Sequence, residues 1–462
     1  MMTKMKTFDT ILVLAGTILL LASCDRMNDI QEKFASLEER TYLGKVDSIR
    51  CYPGFGRAKI VWYVGADPRI ENTVVYWNVR NDSIVKPFRR VVPGVQKDSI
   101  IVDNLPEGST LFEFRNTNGK GESSLYSSAT VTTWGANFAD NLDARSITYK
   151  VFDYETSSYV LGLSPCAEDN SVVYSEIQYT DKSGKQQKVK VRRDDASVTL
   201  TDFPDGGELQ FRSLFFLTEG IDTVYNDFVT IKAPTVTHDS GTKIDIGNGL
   251  ASRYFDRDGE LYEWTTEGDL KIYSEHEGVF SLSRTLEGMV SRSTLRDFFF
   301  YDDDKFIGIN AANSAVDMYQ LVLGDKPQLN TVKAAFGSSF TFDHFIAAKG
   351  FFYSLSAGTL RTWVANNDGT FGTNTGATIS TSFTYPLYTL LQGRTFIVAD
   401  KDGFLWSLPV SASGNLGAEE KIGQGWGKFE RLVAVGSRLL AMDSDGAFWQ
   451  FDFDTKHYWI ID

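Results

Sequence analysis

The sequence predicts an all-β protein: two tandem β-sandwiches followed by a five-bladed β-propeller. Three observations carry that prediction. Aromatic residues make up 13% of the 462-residue chain, which also holds 39 glycines and mostly short apolar runs. That mix favours strands over helices. A ten-residue phrase recurs once at the spacing of a small module: Ser99-Ile-Ile-Val-Asp-Asn-Leu-Pro-Glu-Gly108 aligns with Ser197-Val-Thr-Leu-Thr-Asp-Phe-Pro-Asp-Gly206. In the last half, a strand, turn and aromatic-strand phrase returns at intervals mostly in the forties, as propeller blades do.

Residues 1–23 read as a targeting segment. Lys4 and Lys6 precede an apolar run over 11–22 that is too short to span a bilayer. The run ends in Leu21-Ala-Ser-Cys24, which resembles the lipobox of bacterial lipoproteins. The resemblance implies cleavage before Cys24, acylation of that residue, and anchorage on the outer membrane facing the cell surface. Residues 24–43 are then a polar tether. Asp25, Asp29 and Glu32 resemble a surface-export signal of some lipoproteins, and read equally as a solvated spacer.

Charge narrows the partners. The chain has 46 basic and 60 acidic residues, and loss of Lys4, Lys6 and Asp9 with the signal leaves 44 against 59. A mature charge of −15 argues against nucleic acid and against electrostatic docking on polyanionic glycan, leaving neutral partners open. Cys51 and Cys166 fall in different modules, so no bridge between them is expected. The four histidines (His238, His276, His344 and His457) are scattered and no CxxC spacing exists, so neither a metal nor another cofactor is expected.

Residues 44–135 read as the first sandwich. Lys59-Ile-Val-Trp-Tyr-Val64, Asn72-Thr-Val-Val-Tyr-Trp-Asn78 and Leu111-Phe-Glu-Phe114 are short strands separated by turn signals. The tract from Leu105-Pro-Glu-Gly108 to Phe114 resembles the later strands of fibronectin type III modules, and Trp62 sits where those modules keep a core Trp. Residues 136–234 repeat the pattern, with Phe114-Arg115 returning as Phe211-Arg212 and a linker expected at Lys232-Ala-Pro234. The order of lipobox, tether and Pro53-Gly54 leading into Trp62 is similar to surface lipoproteins of glycan-foraging bacteria, whose stalk modules carry a C-terminal binding domain.

Residues 235–462 hold five repeats. Aligning Gly259, Val316, Gly358, Gly403 and Gly446 gives spacings of 57, 42, 45 and 43. In the last repeat, strands are expected over 429–435, 438–442, 447–453 and 457–460. Lys421-Ile-Gly-Gln-Gly-Trp-Gly-Lys-Phe429 with Asp445-Gly-Ala-Phe-Trp449 is similar to the repeat of tachylectin-type five-bladed lectins. The resemblance implies an amino-sugar site in each blade. The Gly-Trp phrase survives only in the last repeat, which departs from five-fold multivalency.

Two readings of these residues compete. As a ligand site, Trp426 would stack on a sugar ring, with Gln424, Asp445, Asp402 and Asp258 bonding its hydroxyls. As structure, Asp-Gly closes hairpins and the aromatics fill the gaps between blades. Trp264, Trp406 and Trp449, in mid-strand, favour the core reading, whereas the glycine-flanked Trp426 is the ligand-facing candidate. Asp-x-Asp-Gly lacks the Glu of a calcium loop, and no paired acid and base suggests catalysis. The expectation is a non-enzymatic, lipid-anchored, lectin-like protein of the cell envelope for neutral or amino-sugar glycan. A scaffold or adhesin gripping an outer-membrane protein is the alternative, and a propeller glycosidase or lyase the third.

Overall fold

The computed structural model describes residues 41–166, 172–216, 219–247, 249–348, 350–373 and 375–461. The signal, Cys24 and nearly all of the tether lie outside the described residues. The chain divides into two compact units: Met1–Ala139 with Leu217–Thr223, and Asp140–Phe216 with Val224–Asp462.

The first unit is a β-sandwich. Val46–Pro53, Arg57–Val64 and Gln96–Asp103 form one antiparallel sheet. Asp82–Pro87, Asn72–Trp77, Gly108–Thr117 and Ser127–Thr133 form the other, in that order. This is the three-plus-four arrangement of immunoglobulin- and fibronectin-type modules. Alternation explains the layering: Ile60, Trp62 and Val64 all point inward from Arg57–Val64 and are fully buried. The Trp62 ring packs 5.5 Å from that of Phe114, so Trp62 is the expected core residue. Arg57 grips Asp222, whose second carboxylate oxygen also accepts the Phe55 N–H at 2.9 Å.

The second unit begins with a sandwich of the same strand order. Ser197–Leu200, Ser158–Leu163 and Ile147–Asp153 make one sheet, and Gln186–Arg192, Val172–Thr180 and Glu208–Phe216 the core of the other. The duplicated phrase forms the corresponding corner, where Gly207 N–H donates to the Pro204 carbonyl at 3.0 Å and Phe203 is fully buried. Ile147–Asp153 does not end its sheet. It pairs in parallel with Glu419–Gln424, matching Lys150 with Glu420, so the sandwich sheet continues into the C-terminal region. Lys150 and Glu420 form an ion pair there, and the Tyr159 hydroxyl donates to Glu420 at 3.2 Å. Lys232-Ala-Pro234 is not a free linker: Ala233 and Pro234 are buried, and Thr235–His238 pairs at once with His457–Ile460.

Five four-stranded antiparallel sheets follow. The first is Arg253–Arg257, Glu260–Trp264, Leu270–His276 and Val279–Leu286. The second is Leu295–Asp302, Lys305–Asn310, Val316–Val322 and Gln328–Gly337. The third is His344–Ala348, Phe351–Ser356, Thr359–Trp363 and Ala377–Ser380. The fourth is Leu387–Leu391, Thr395–Ala399, Leu405–Pro409 and Glu419–Gln424. Phe429–Val435, Arg438–Asp443 and Phe448–Phe451 make the fifth, whose outer strand is Thr242–Ile244 from the start of the region. The expected strand at 457–460 therefore belongs elsewhere. It pairs in parallel with Thr235–His238 and Glu419–Gln424.

The first strand of each sheet lies beside that of the next, and the fifth lies beside the first. Five apolar clusters fill the five gaps, for example Phe298 stacked on Phe306 at 5.0 Å, and Trp426 with Phe429 and Phe451. The irregular spacing of 57 also has a cause. Gly259 closes the first hairpin of its sheet, whereas Gly358, Gly403 and Gly446 close the second. The counterpart of those three is Gly268, in the turn after Glu260–Trp264, with φ of 93°.

Candidate functional site

The first strands of all five sheets enclose a cavity of about 670 Å³. The starts of those strands each bring a polar side chain to its wall at a common repeat position, Arg253, Asp297, His344, Tyr388 and Arg431, with Thr389 and Glu430 beside the last two. Arg253 is exposed and, among the described residues, its side chain makes no hydrogen bond or ion pair. Its charge nevertheless acts on the other four. The Arg431 guanidinium is fixed by main chain, donating to the carbonyls of Ser252 at 2.6 Å and Leu250 at 3.0 Å.

Asp297 is half-buried, lines the cavity, and accepts the Phe298 N–H at 3.0 Å. Burial pushes its carboxyl up to about 6, against the opposing pull of Arg253. Burial, then Arg253, lowers the His344 imidazole below its ordinary value. The His344 ring meets the Tyr388 ring edge-on at 5.9 Å, and burial raises the Tyr388 hydroxyl, which stays protonated. Near neutral pH the wall thus carries one held and one free arginine, a neutral imidazole, a phenol and the carboxyl groups of Asp297 and Glu430. Such a set grips an anion and hydroxyls together.

The strand ends close the other side of the cavity. There Asp256 accepts the N–H groups of Gly259 at 3.0 Å and Gly436 at 3.2 Å, tying the first sheet to the fifth. Burial pushes this carboxyl up to about 6 as well. Asp258 is exposed beside it and lines the same cavity. Of the five candidate ligand-binding residues, Trp426, Gln424, Asp445, Asp402 and Asp258, it alone reaches this site.

The others lie elsewhere. Trp426 is 0% exposed: its rim packs on Phe451 at 4.9 Å and its indole N–H points to the Trp459 carbonyl at 3.4 Å. A ring without exposed surface offers no face to a sugar, so the ligand-facing reading of Trp426 is corrected to core. Gln424 accepts the Tyr458 hydroxyl at 3.1 Å, beneath the sheet junction. Asp402 and Asp445 sit at exposed hairpin tips in different sheets. Trp264 is buried and donates to the Val290 carbonyl at 2.8 Å, while Trp406 and Trp449 are half-buried.

The first Asp of Asp-x-Asp-Gly closes the hairpin. Asp443 accepts the N–H groups of Asp445 at 3.0 Å and Ala447 at 2.9 Å, and Asp400 does the same for Asp402 and Phe404, both at 3.0 Å. Among the described residues, no group of three or more His, Cys, Asp or Glu is placed to hold a metal ion. Cys51 and Cys166 are free thiols, and burial pushes Cys51 up to about 11, away from reactivity.

Residues 24–224 match the family model DUF4998, described as a domain of unknown function. No curated protein matches the chain. Among solved structures, it is similar to a two fibronectin type III domain segment of chicken tenascin, with 11% identity and a TM-score of 0.18. That likeness covers 40% of this chain and 97% of the tenascin segment. The first three fibronectin domains of chicken CNTN1 give 17% identity and a TM-score of 0.20, over 43% of this chain and 69% of theirs. Scores this low carry no argument, and the fold rests on the strand orders above.

The cavity residues were missed because no motif joins an Arg, an Asp, a His, a Tyr and an Arg. Their signal is register. They fall 44, 47, 44 and 43 positions apart, each near the start of a first strand.

Proposed function

We infer that this is a ligand-binding protein of the bacterial cell envelope, in which fibronectin-III-like modules form a stalk and the five sheets a five-bladed β-propeller. On this reading Cys24 carries the lipid that holds the chain on the outer membrane, and the ligand is carbohydrate. The ring of neighbouring first strands and the outer strand supplied by Thr242–Ile244 support the propeller. One observation carries the binding role: at one repeat position in each of the five sheets stands a polar side chain, of four chemistries in all, and all five line a single cavity. A repeat selected only for packing would put similar residues at those positions. Repeat positions that differ in this way mark a single composite site, unlike the one-site-per-blade arrangement of a tachylectin.

A glycan array probed with residues 24–462 tests the reading. Binding to one group of glycans, lost in Arg253→Ala with Asp297→Asn while the circular dichroism is unchanged, is the expected result. Absence of any carbohydrate binding, with an outer-membrane protein recovered instead, would replace it by the scaffold reading. Cys24→Ala should move the protein from the membrane to the soluble fraction.

A further inference from the structure

The arginines at the starts of the cavity's strands, its polar mouth, have no carboxylate partner, although carboxylates line the same cavity. Arg253 and Arg431 line it, Arg292 and Arg296 act on Asp297 from nearby, and among the described residues none of the four makes an ion pair. Arg296 and Arg431 donate only to main-chain carbonyls, and the Arg292 guanidinium lies 4.3 Å over the Trp264 ring. The carboxylates that line the cavity are Asp297 and Glu430 at the strand starts and Asp256 and Asp258 at the strand ends, and among the described residues none of them pairs with these arginines. Held cations without a carboxylate partner are costly unless a ligand supplies one. Arg253, free and exposed, presents a planar fork that matches a carboxylate.

We propose that this mouth recognises the carboxylate of an acidic sugar at the end of a glycan chain, with Arg253 gripping the carboxylate and Asp297, Tyr388 and His344 bonding the adjacent hydroxyls. The inference rests on the carbohydrate reading above and narrows it to one chemical class. Asp297 argues for a monoanion, because a buried carboxylate beside the ligand repels a dianionic phosphate more than a single carboxylate. The overall charge of −14 disfavours long polyanions at a distance. A single terminal carboxylate reaching the unpaired Arg253 meets neither objection.

Titration of residues 24–462 with glucuronate, galacturonate, glucose, galactose and inorganic phosphate tests this. A uronate is expected to bind roughly 10- to 100-fold more tightly than its neutral hexose, the range of one charge-assisted contact pair. Arg253→Met should erase that difference and leave weak hexose binding, and Arg253→Lys should restore it in part. The Arg253 side chain bonds nothing in the fold, and its backbone pairing with Trp264 is kept in every variant, so the variants are expected to melt with the parent. Equal binding of uronate and hexose would sink the inference while leaving the carbohydrate reading intact. Preference for phosphate would overturn it in favour of a phosphorylated ligand. Binding of none of the sugars by folded protein would overturn both.

Discussion

The Asp443 carboxylate accepts the indole N–H of Trp449 at 2.9 Å, and Asp400 holds Trp406 in the same way at 2.8 Å. In both hairpins the other carboxylate oxygen takes two backbone N–H groups of the turn. One side chain thus closes the turn and sets the angle of the aromatic that packs on the neighbouring cluster. The Asp-Gly phrase repeats because it builds sheets.

Asp443→Ala is expected to destabilise the protein by about 1–3 kcal/mol, since it strands three donors at a partly covered turn. Those three bonds hold the Asp443 carboxyl below its ordinary value, the indole bond first. Its contribution is therefore full above the unfolded carboxyl value and fades as pH falls through the folded one. Urea unfolding of parent and variant at pH 7 and near pH 3 measures this: the gap should narrow in acid. Calcium or chelator should leave both midpoints unchanged, because the carboxylate is already occupied.

Trp426→Ala should cost about 3–5 kcal/mol, the usual range for emptying a large aromatic site. Its ring touches Phe429, Phe451 and Phe453 and is wholly enclosed. Denaturant melts should show the loss, with Trp426→Phe intermediate. Any ligand found for the cavity should bind folded Trp426→Phe with parental affinity. Selective loss of binding without loss of stability would return Trp426 to the site.

The strand content, the two sandwiches and the core role of Trp62 were legible because alternation and turn chemistry are local. Trp426 was misread for a physical reason. Its glycine neighbours suggested an open connection, yet they make room for a buried ring: a Cβ on Gly423 would stand 2.9 Å from the Trp426 indole nitrogen, and one on Gly425 2.3 Å from the Ile461 carbonyl oxygen. The outer strand of the fifth sheet was illegible because Thr242–Ile244 meets Phe448–Phe451 from some two hundred residues away. The parallel pairing of Ile147–Asp153 with Glu419–Gln424 leaves no periodic trace for the same reason. Of the site, only Asp258 was reached, through its turn; the polar wall is written in repeat register, which the alignment on Gly259 had shifted by one hairpin.

Lys243→Pro tests the long-range closure of the fifth sheet. Lys243 pairs with Trp449 in the middle of a three-residue strand, where proline removes the N–H and restricts the backbone. A loss of about 3 kcal/mol is expected, along with faster amide exchange across Phe448–Phe451. Lys243→Thr, which keeps the backbone donor, should be close to neutral. Parental stability and exchange in the proline variant would show that the strand is not needed for closure.

Asp297→Asn should stabilise the protein, and the gain should depend on pH. Burial raises the folded carboxyl to about 6, whereas an unfolded Asp titrates near 3.9. The folded state therefore binds the proton more tightly, so stability is highest below the unfolded value and declines as pH rises from about 4 to about 6. Arg253, Arg296 and Arg292 oppose the shift by their charge, and desolvation of the carboxyl outweighs them. Asparagine fills the same volume without the charge. Its advantage should be absent near pH 3.5, grow through pH 5, and level off above pH 6 at on the order of 1–3 kcal/mol. Melting temperatures across that range measure it directly. A gain that is flat with pH, or a loss at pH 7, would mean that Asp297 is ionised and well compensated in the empty cavity. The expected profile instead marks a carboxylate kept at a cost to stability, which is what a residue retained for its ligand should show.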